Sequence, residues 1–289
     1  MKISQMFHLP TLLPFIDVDL STDTELFINP LLIRVNKKKF YKEMDHKIVS
    51  FRKKTINMIE HGSLDDLLKL WDNTHEKNYT HLGYSDGKSA GKACGKETIT
   101  AIYEDHLVRS LISQNKIKGI EDTLILVDNI NKDKISDIIT NIILKELVVF
   151  TQYQCKLFGI TNLVSKKIGK YWNGSRWISL NDFVPLDKTG KPILFVPNEI
   201  VTNKERWSAN RYYSMQICEE NQTKLEKKYT TTSWANREKG LSKKEVKTIL
   251  PYSIDYVRGY VNEKPSSLQK FKDRVSIELR LLLSSGKNI

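Results

Sequence analysis

The chain has 289 residues, 40% hydrophobic and 28% charged, with a formal net charge of +12. That is enough length for a real core in one large or two modest domains, and no apolar run approaches the ~20 residues of a membrane helix. Its three cysteines, Cys94, Cys155 and Cys218, lie far apart with no CxxC pair, which excludes a disulfide framework and a cysteine zinc site and fits a reducing cytoplasm.

The charge is unevenly placed. Residues 1–159 hold 22 Lys and Arg against 21 Asp and Glu, whereas residues 160–289 hold 24 against 13. The split sets a near-neutral α/β part, 1–159, against a basic part, 160–289, made of a β-hairpin and helices, either separately or in one body. A net +11 in the second part points to an anionic partner, nucleic acid first and an acidic protein or membrane surface after it.

In chain order, Pro10 and Pro14 interrupt the apolar N-terminus and no signal-peptide cleavage pattern follows. FIDVDL and LLIRV read as short strands. From Lys37 the apolar spacing turns helical through Phe40, Met44, Ile48, Phe51 and Ile59, and Ser63 followed by two aspartates starts a short capped helix at Leu64. Next comes a glycine-rich run in which Gly83, Gly87, Gly91 and Gly95 recur every four residues, with Lys88, Lys92 and Lys96 each following one of them. It lacks the spacing of a Walker loop, and its exposed amides and lysines suit a looser role against a phosphate backbone. An amphipathic helix is expected from Glu97 to about Gln114.

The central stretch, Thr123–Gly159, reads as a buried strand over 124–127 that delivers Asp128, a loop holding Asp133, and a helix over 137–157 that Ser136 caps. Asp128, Asp133 and Asp137 are candidate Mg²⁺ or Mn²⁺ ligands, since Mg²⁺ takes one or two carboxylates and keeps several waters. Asp128 and Asp137, with Lys134 as the cation, are the candidate catalytic set. First-turn aspartates also suit a helix dipole with no metal present. PD-(D/E)xK nucleases place a Glu-x-Lys on a second strand, and here only Asp86-Gly87-Lys88 has similar letters. None of the six histidines falls in a metal-binding motif.

Beyond residue 160, Asn173-Gly174 between aromatic flanks signals a hairpin in which Trp172 and Trp177 share a face. Ile193–Val196 reads as a short apolar strand, and helices follow from Trp207 onward. Arg206, Arg211 and Arg237, interleaved with tryptophans, are candidate nucleic-acid contacts beside Lys88, Lys92 and Lys96. The expected fold is mixed α/β or α+β, rich in helix with a small sheet.

NYTHLGYSDGK, the glycine-rich run, DKISDIITNI and the FTQYQC helix text, over about residues 78–160, resemble a group of uncharacterised prokaryotic proteins associated with phage-defence gene clusters. The resemblance implies a cytoplasmic bacterial protein with a nuclease role and brings no catalytic residues with it. Two functions are expected: a metal-dependent nuclease of a defence system, or a non-catalytic nucleic-acid-binding or scaffolding subunit of a defence complex with a protein partner.

Overall fold

A computed structural model describes residues 1–75, 77–83, 95–127, 130–204, 206–228 and 241–285. The chain opens with a short helix, α1 (Ile3–Phe7), anchored by Asp17, whose carboxylate accepts from the Ser4 N–H at 2.8 Å and its hydroxyl at 2.6 Å. FIDVDL forms only isolated bridges, so its alternation serves a buried lead-in and not a strand. The first strand, β1 (Phe27–Ile28), is two residues long. LLIRV lies in a helix, α2 (Pro30–Val35), and not in the expected strand: Pro30 occupies the first turn, and Asn29 Oδ1 accepts the Leu31 N–H at 2.8 Å. That proline and cap set the turn before the β-branched residues can extend.

The long helix α3 (Lys39–His61) buries Met44, Ile48, Phe51 and Ile59, and α4 (Leu64–Trp71) starts at Ser63, whose hydroxyl accepts from the Asp66 N–H at 3.1 Å. The helix expected over 97–114 is two, α5 (Lys96–Glu104) and α6 (His106–Ser113). Asp105 divides them, because its carboxylate accepts the N–H groups of both Leu107 and Val108 at 2.9 Å and so begins a new helix.

The central stretch departs most from the sequence reading. Residues 123–126 are a single helical turn, α7 (Thr123–Leu126), with Ile125 and Leu126 buried. Asp122 Oδ2 accepts the N–H groups of Lys118 and Gly119 at 2.8 Å, Thr123 Oγ1 donates to the Ile120 carbonyl at 2.6 Å, and Arg258 Nε donates to the Leu126 carbonyl at 2.8 Å. A buried strand needs ladder partners on both sides. Here side chains satisfy the backbone instead.

The next helix, α8 (Lys132–Ile142), begins a turn before its expected start, because Asn131 Oδ1 caps the Lys134 N–H at 2.9 Å. Ser136 is therefore no cap: it is buried inside α8, where its hydroxyl accepts the Ile28 N–H of β1 at 2.9 Å. After Ile143 the chain continues as α9 (Leu144–Leu157). Cys155 is buried on α9, and burial pushes its thiol up to about 12, far from a reactive thiolate.

An antiparallel ribbon follows, β2 (Val164–Trp172) with β3 (Trp177–Val184). Its turn is the expected one: Asn173 Oδ1 accepts the N–H groups of Ser175 and Arg176 at 2.9 Å, and Gly174 has φ 107°. Trp172 and Trp177 are direct register partners with ring centroids 5.6 Å apart, and both meet Phe51 of α3. Trp172 Nε1 donates to Ser50 Oγ at 2.8 Å and Trp177 Nε1 to the Leu70 carbonyl at 2.7 Å, so the aromatic end of the ribbon is bolted to α3 and α4.

Ile193–Val196 is buried but joins no ladder; the Leu194 N–H goes to the Tyr79 carbonyl at 2.8 Å and the Phe195 N–H to Thr151 Oγ1 at 2.9 Å. A last strand, β4 (Val201–Thr202), pairs with β1. Helix α10 (Ala209–Tyr212) runs through a π turn at Tyr213–Ile217 into α11 (Cys218–Lys228), and α12 (Lys243–Ile249), α13 (Ile254–Glu263) and α14 (Pro265–Ser285) complete the chain.

The fold is α+β and rich in helix, with two small antiparallel pairs, β1–β4 and β2–β3, among the described residues. One hydrophobic cluster runs from Ile3 to Leu279, so the near-neutral and basic parts share a core. Buried charge reinforces the junction: Lys272 of α14 lies 2.7 Å from Asp122 and 3.0 Å from Glu121, Arg34 of α2 pairs with Glu121, and Trp207 Nε1 donates to the Glu121 carbonyl at 2.8 Å. No helix among the described residues is long and apolar enough to cross a membrane.

Candidate nucleic-acid interface

The helix start at Asn131 decides where the expected acids go. Asp133 lies in the first turn of α8 and Asp137 one turn on, both half-buried. Asp133 Oδ1 lies near Gly83, where a Cβ would come within 3.0 Å of it, and burial together with the Asp23 charge pushes its carboxyl above the usual range. Asp137 lines a small cleft with Lys77, Thr80, Thr140 and Asn141. Beside it, Thr140 Oγ1 donates to the Ser136 carbonyl at 2.8 Å, and Asn141 Nδ2 donates to the carbonyls of His75 and Asp137 at 2.9 Å. Asp128 lies outside the described residues, and among those described no group of three His, Cys, Asp or Glu is placed to hold a metal ion. Lys134 sits in the first turn of α8, half-buried and engaged within the fold.

The expected nucleic-acid contacts separate. Lys96 is exposed at the start of α5, while Lys88, Lys92 and Arg237 lie outside the described residues. Arg206 and Arg211 do not face solvent as free cations. Both bind Glu278 of α14, Arg206 through Nη1 to Oε1 and Arg211 through Nη2 to Oε2 at 2.8 Å, with their side chains largely covered. They clamp the approach to α10 onto α14, a use that Arg's fork of donors suits.

The ribbon carries a group of exposed cations. Lys166, Lys167 and Lys170 of β2 and Arg176 at the turn are exposed, and none forms an ion pair among the described residues. The acid nearest in the ladder, Asp182 opposite Lys166, is taken by Lys145 at 2.6 Å and Gln152 at 2.7 Å. Lys166-Lys167 and Lys170 leading into Asn173-Gly174 were visible in the sequence as a cationic strand entering a hairpin.

Beside the ribbon lies a strained segment, residues 77–83. Asn78 and His81 have positive φ, 46° and 53°, and Gly83 has 135°, conformations that non-glycine residues hold only when their surroundings enforce them. His81 is buried, and desolvation depresses its pKa against the pull of Asp23 and Asp187, so it is a neutral core histidine. Lys77 reaches to β2 where the register slips between Lys167 and Gly169, and its ammonium fills the space above Gly169, at which a Cβ would lie 2.3 Å from Nζ. Burial first, and the Lys170 charge second, bring its pKa down to about 8.

No curated protein and no solved structure matches the chain. A family model matches residues 10–209, which takes in α8, the strained segment and the whole ribbon and ends before α11 to α14. The chain thus belongs to the family described as a domain of unknown function (DUF8370).

Proposed function

We propose that the protein binds nucleic acid through the β2–β3 ribbon, as a binding or scaffolding subunit of a prokaryotic defence complex. The observation that carries this reading is the set of exposed cations without acid partners on β2 and its turn, Lys166, Lys167, Lys170 and Arg176, on a ribbon anchored by its tryptophans. A two-stranded ribbon is narrow enough to enter a major groove or to follow a single strand, and cations without internal partners release counterions when phosphates replace them. The test is filter binding of the full chain to single- and double-stranded DNA and RNA at about 50 and 200 mM salt, where a steep loss of affinity is expected. Affinity that ignores salt would leave a protein partner as the ligand of this surface.

Metal-dependent phosphodiester cleavage is the second reading, favoured by Asp133 and Asp137 standing one turn apart on α8, with Asp133 raised by burial and by the Asp23 charge. In that reading Mg²⁺ or Mn²⁺ sits on Asp133 and Asp137 with Asp128, beside Lys134. Plasmid, linear DNA and RNA incubated with and without the metals separate the two, since only the second reading expects cleavage that the metal switches on and Asp137→Asn removes.

A further inference from the structure

Lys77 is anomalous for a folded protein. Its side chain is half-buried, yet the ammonium makes no hydrogen bond and no ion pair among the described residues, and the charge that acts on it is another cation, Lys170. The small cleft that Lys77 lines also holds Tyr79 from its own segment and Asp137 from α8. Asp137 is already engaged within the fold.

The ribbon is shaped around this ammonium. β2 slips register between Lys167 and Gly169, and Gly169 has φ 143°, where any side chain would be strained and a Cβ would strike Nζ. A glycine at a bulge marks close approach of something to the backbone, and here it makes room for the Lys77 ammonium, with the exposed Lys170 next to it in β2 and its charge felt at Lys77. Isolated lysines normally turn outward to water. This one is held in place against a like charge, an arrangement that an incoming anion would relieve at both cations together.

We propose that Lys77 and Lys170 together seat one phosphoryl group beside Gly169, so that the ribbon grips a nucleic-acid phosphate at a fixed point and does not rely on diffuse charge alone. The assignment rests on the nucleic-acid reading of the ribbon for the source of that phosphoryl group. It needs only the two lysines for its chemistry.

The test is competitive acetylation of the full chain across pH, with each lysine quantified by peptide mass spectrometry, in matched ionic strength of chloride, of inorganic phosphate, or of a single-stranded oligonucleotide with or without a 5′-phosphate. In chloride Lys77 should label at lower pH than the exposed lysines. Inorganic phosphate should raise the pH at which it titrates by about one, which is about fivefold less labelling at pH 8 and about tenfold less at pH 7. Lys170→Gln, at an exposed position, should abolish that response. Labelling of Lys77 that is the same in phosphate and chloride overturns the assignment.

Oligonucleotide retention on the same samples keeps the two ideas apart. If oligonucleotides bind while Lys77 stays unmoved by every phosphoryl group, the seat is refuted and the ribbon reading stands. If Lys77 responds to inorganic phosphate and no oligonucleotide binds, the seat stands and the nucleic-acid reading falls. A response to the 5′-phosphorylated strand alone assigns the seat to a chain end, and one to both strands assigns it to the backbone.

Discussion

Lys272 reaches from α14 to within 2.7 Å of Asp122, joining the C-terminal helix to the turn that precedes α7. The lysine also meets Glu121 at 3.0 Å, and both acids are fully buried. Burial alone would push Glu121 up, but Lys272 and Arg34 outweigh it and bring the carboxyl down to about 2. Burial, helped by the Glu121 charge, leaves Asp122 above its ordinary value in spite of Lys272. Removing Lys272 takes the shared ammonium from two buried carboxylates and leaves Arg34 alone against Glu121, so Lys272→Met should destabilise the fold by about 3–5 kcal/mol in chemical denaturation at pH 7.

The pH dependence of that deficit has a definite sign. In the parent, Glu121 contributes stability above its ordinary value near 4.5 that is lost as pH falls toward about 2. Without Lys272, Asp122 should be raised further and Glu121, left with Arg34, should be depressed less, and an acid raised on folding loses stability as pH increases. The difference between Lys272→Met and parent should therefore shrink on acidification from pH 7 to pH 4. A deficit that is constant with pH would mean that lost packing, and not stranded charge, causes it.

Glu278 should behave as a structural clamp. It holds Arg206 and Arg211 together, and its removal leaves two partly covered arginines to find water. Glu278→Gln, or reversal of either arginine to Glu, should lower stability by about 1–3 kcal/mol. The salt dependence of nucleic-acid binding should not change. A fall in the salt slope without loss of stability would return these arginines to the interface.

Lys77 should cost the fold stability at neutral pH. Its folded value of about 8 lies below the ordinary 10.5, so the unfolded chain holds the proton more tightly and stability rises as pH climbs through 8 to 10.5. Lys77→Met should stabilise the protein by about 1–2 kcal/mol at pH 7 after allowance for solvent screening, and the gain should vanish above about pH 10. Thermal melts at pH 7, 9 and 10.5 measure it. Destabilisation at pH 7 would show that the ammonium has a partner after all.

The sequence made local chemistry legible wherever a cap or turn residue acts on its own neighbours. Ser63 and the Asn173-Gly174 hairpin stand where their spacing put them, and Trp172 faces Trp177. The failures share one cause. LLIRV and LILV have β-branched runs, but Asn29 and Pro30 start a helix before the first, and the hydrogen bonds of Asp122, Thr123 and Arg258 fold the second into one turn. Strand propensity needs a partner strand, and no local pattern reveals that none is available.

The same limit shaped the reading of the site. An arginine's charge is plain in the sequence, but Glu278 lies 72 residues beyond Arg206, so its neutralising partner is not. Lys77 and Gly169 carried no motif at all. Their relation exists only because the bulge in β2 faces the segment after α4.

The most direct test of the account is the salt dependence of nucleic-acid binding when the ribbon is reversed. With Lys166, Lys167 and Lys170 all changed to Glu, sites that are exposed and carry no ion pair among the described residues, the fold should remain as stable as the parent by denaturation. The slope of log affinity against log salt should then fall in magnitude by about 2 to 3, as three phosphate contacts are lost. Affinity and slope unchanged from the parent in a folded triple variant would contradict the ribbon as the nucleic-acid surface.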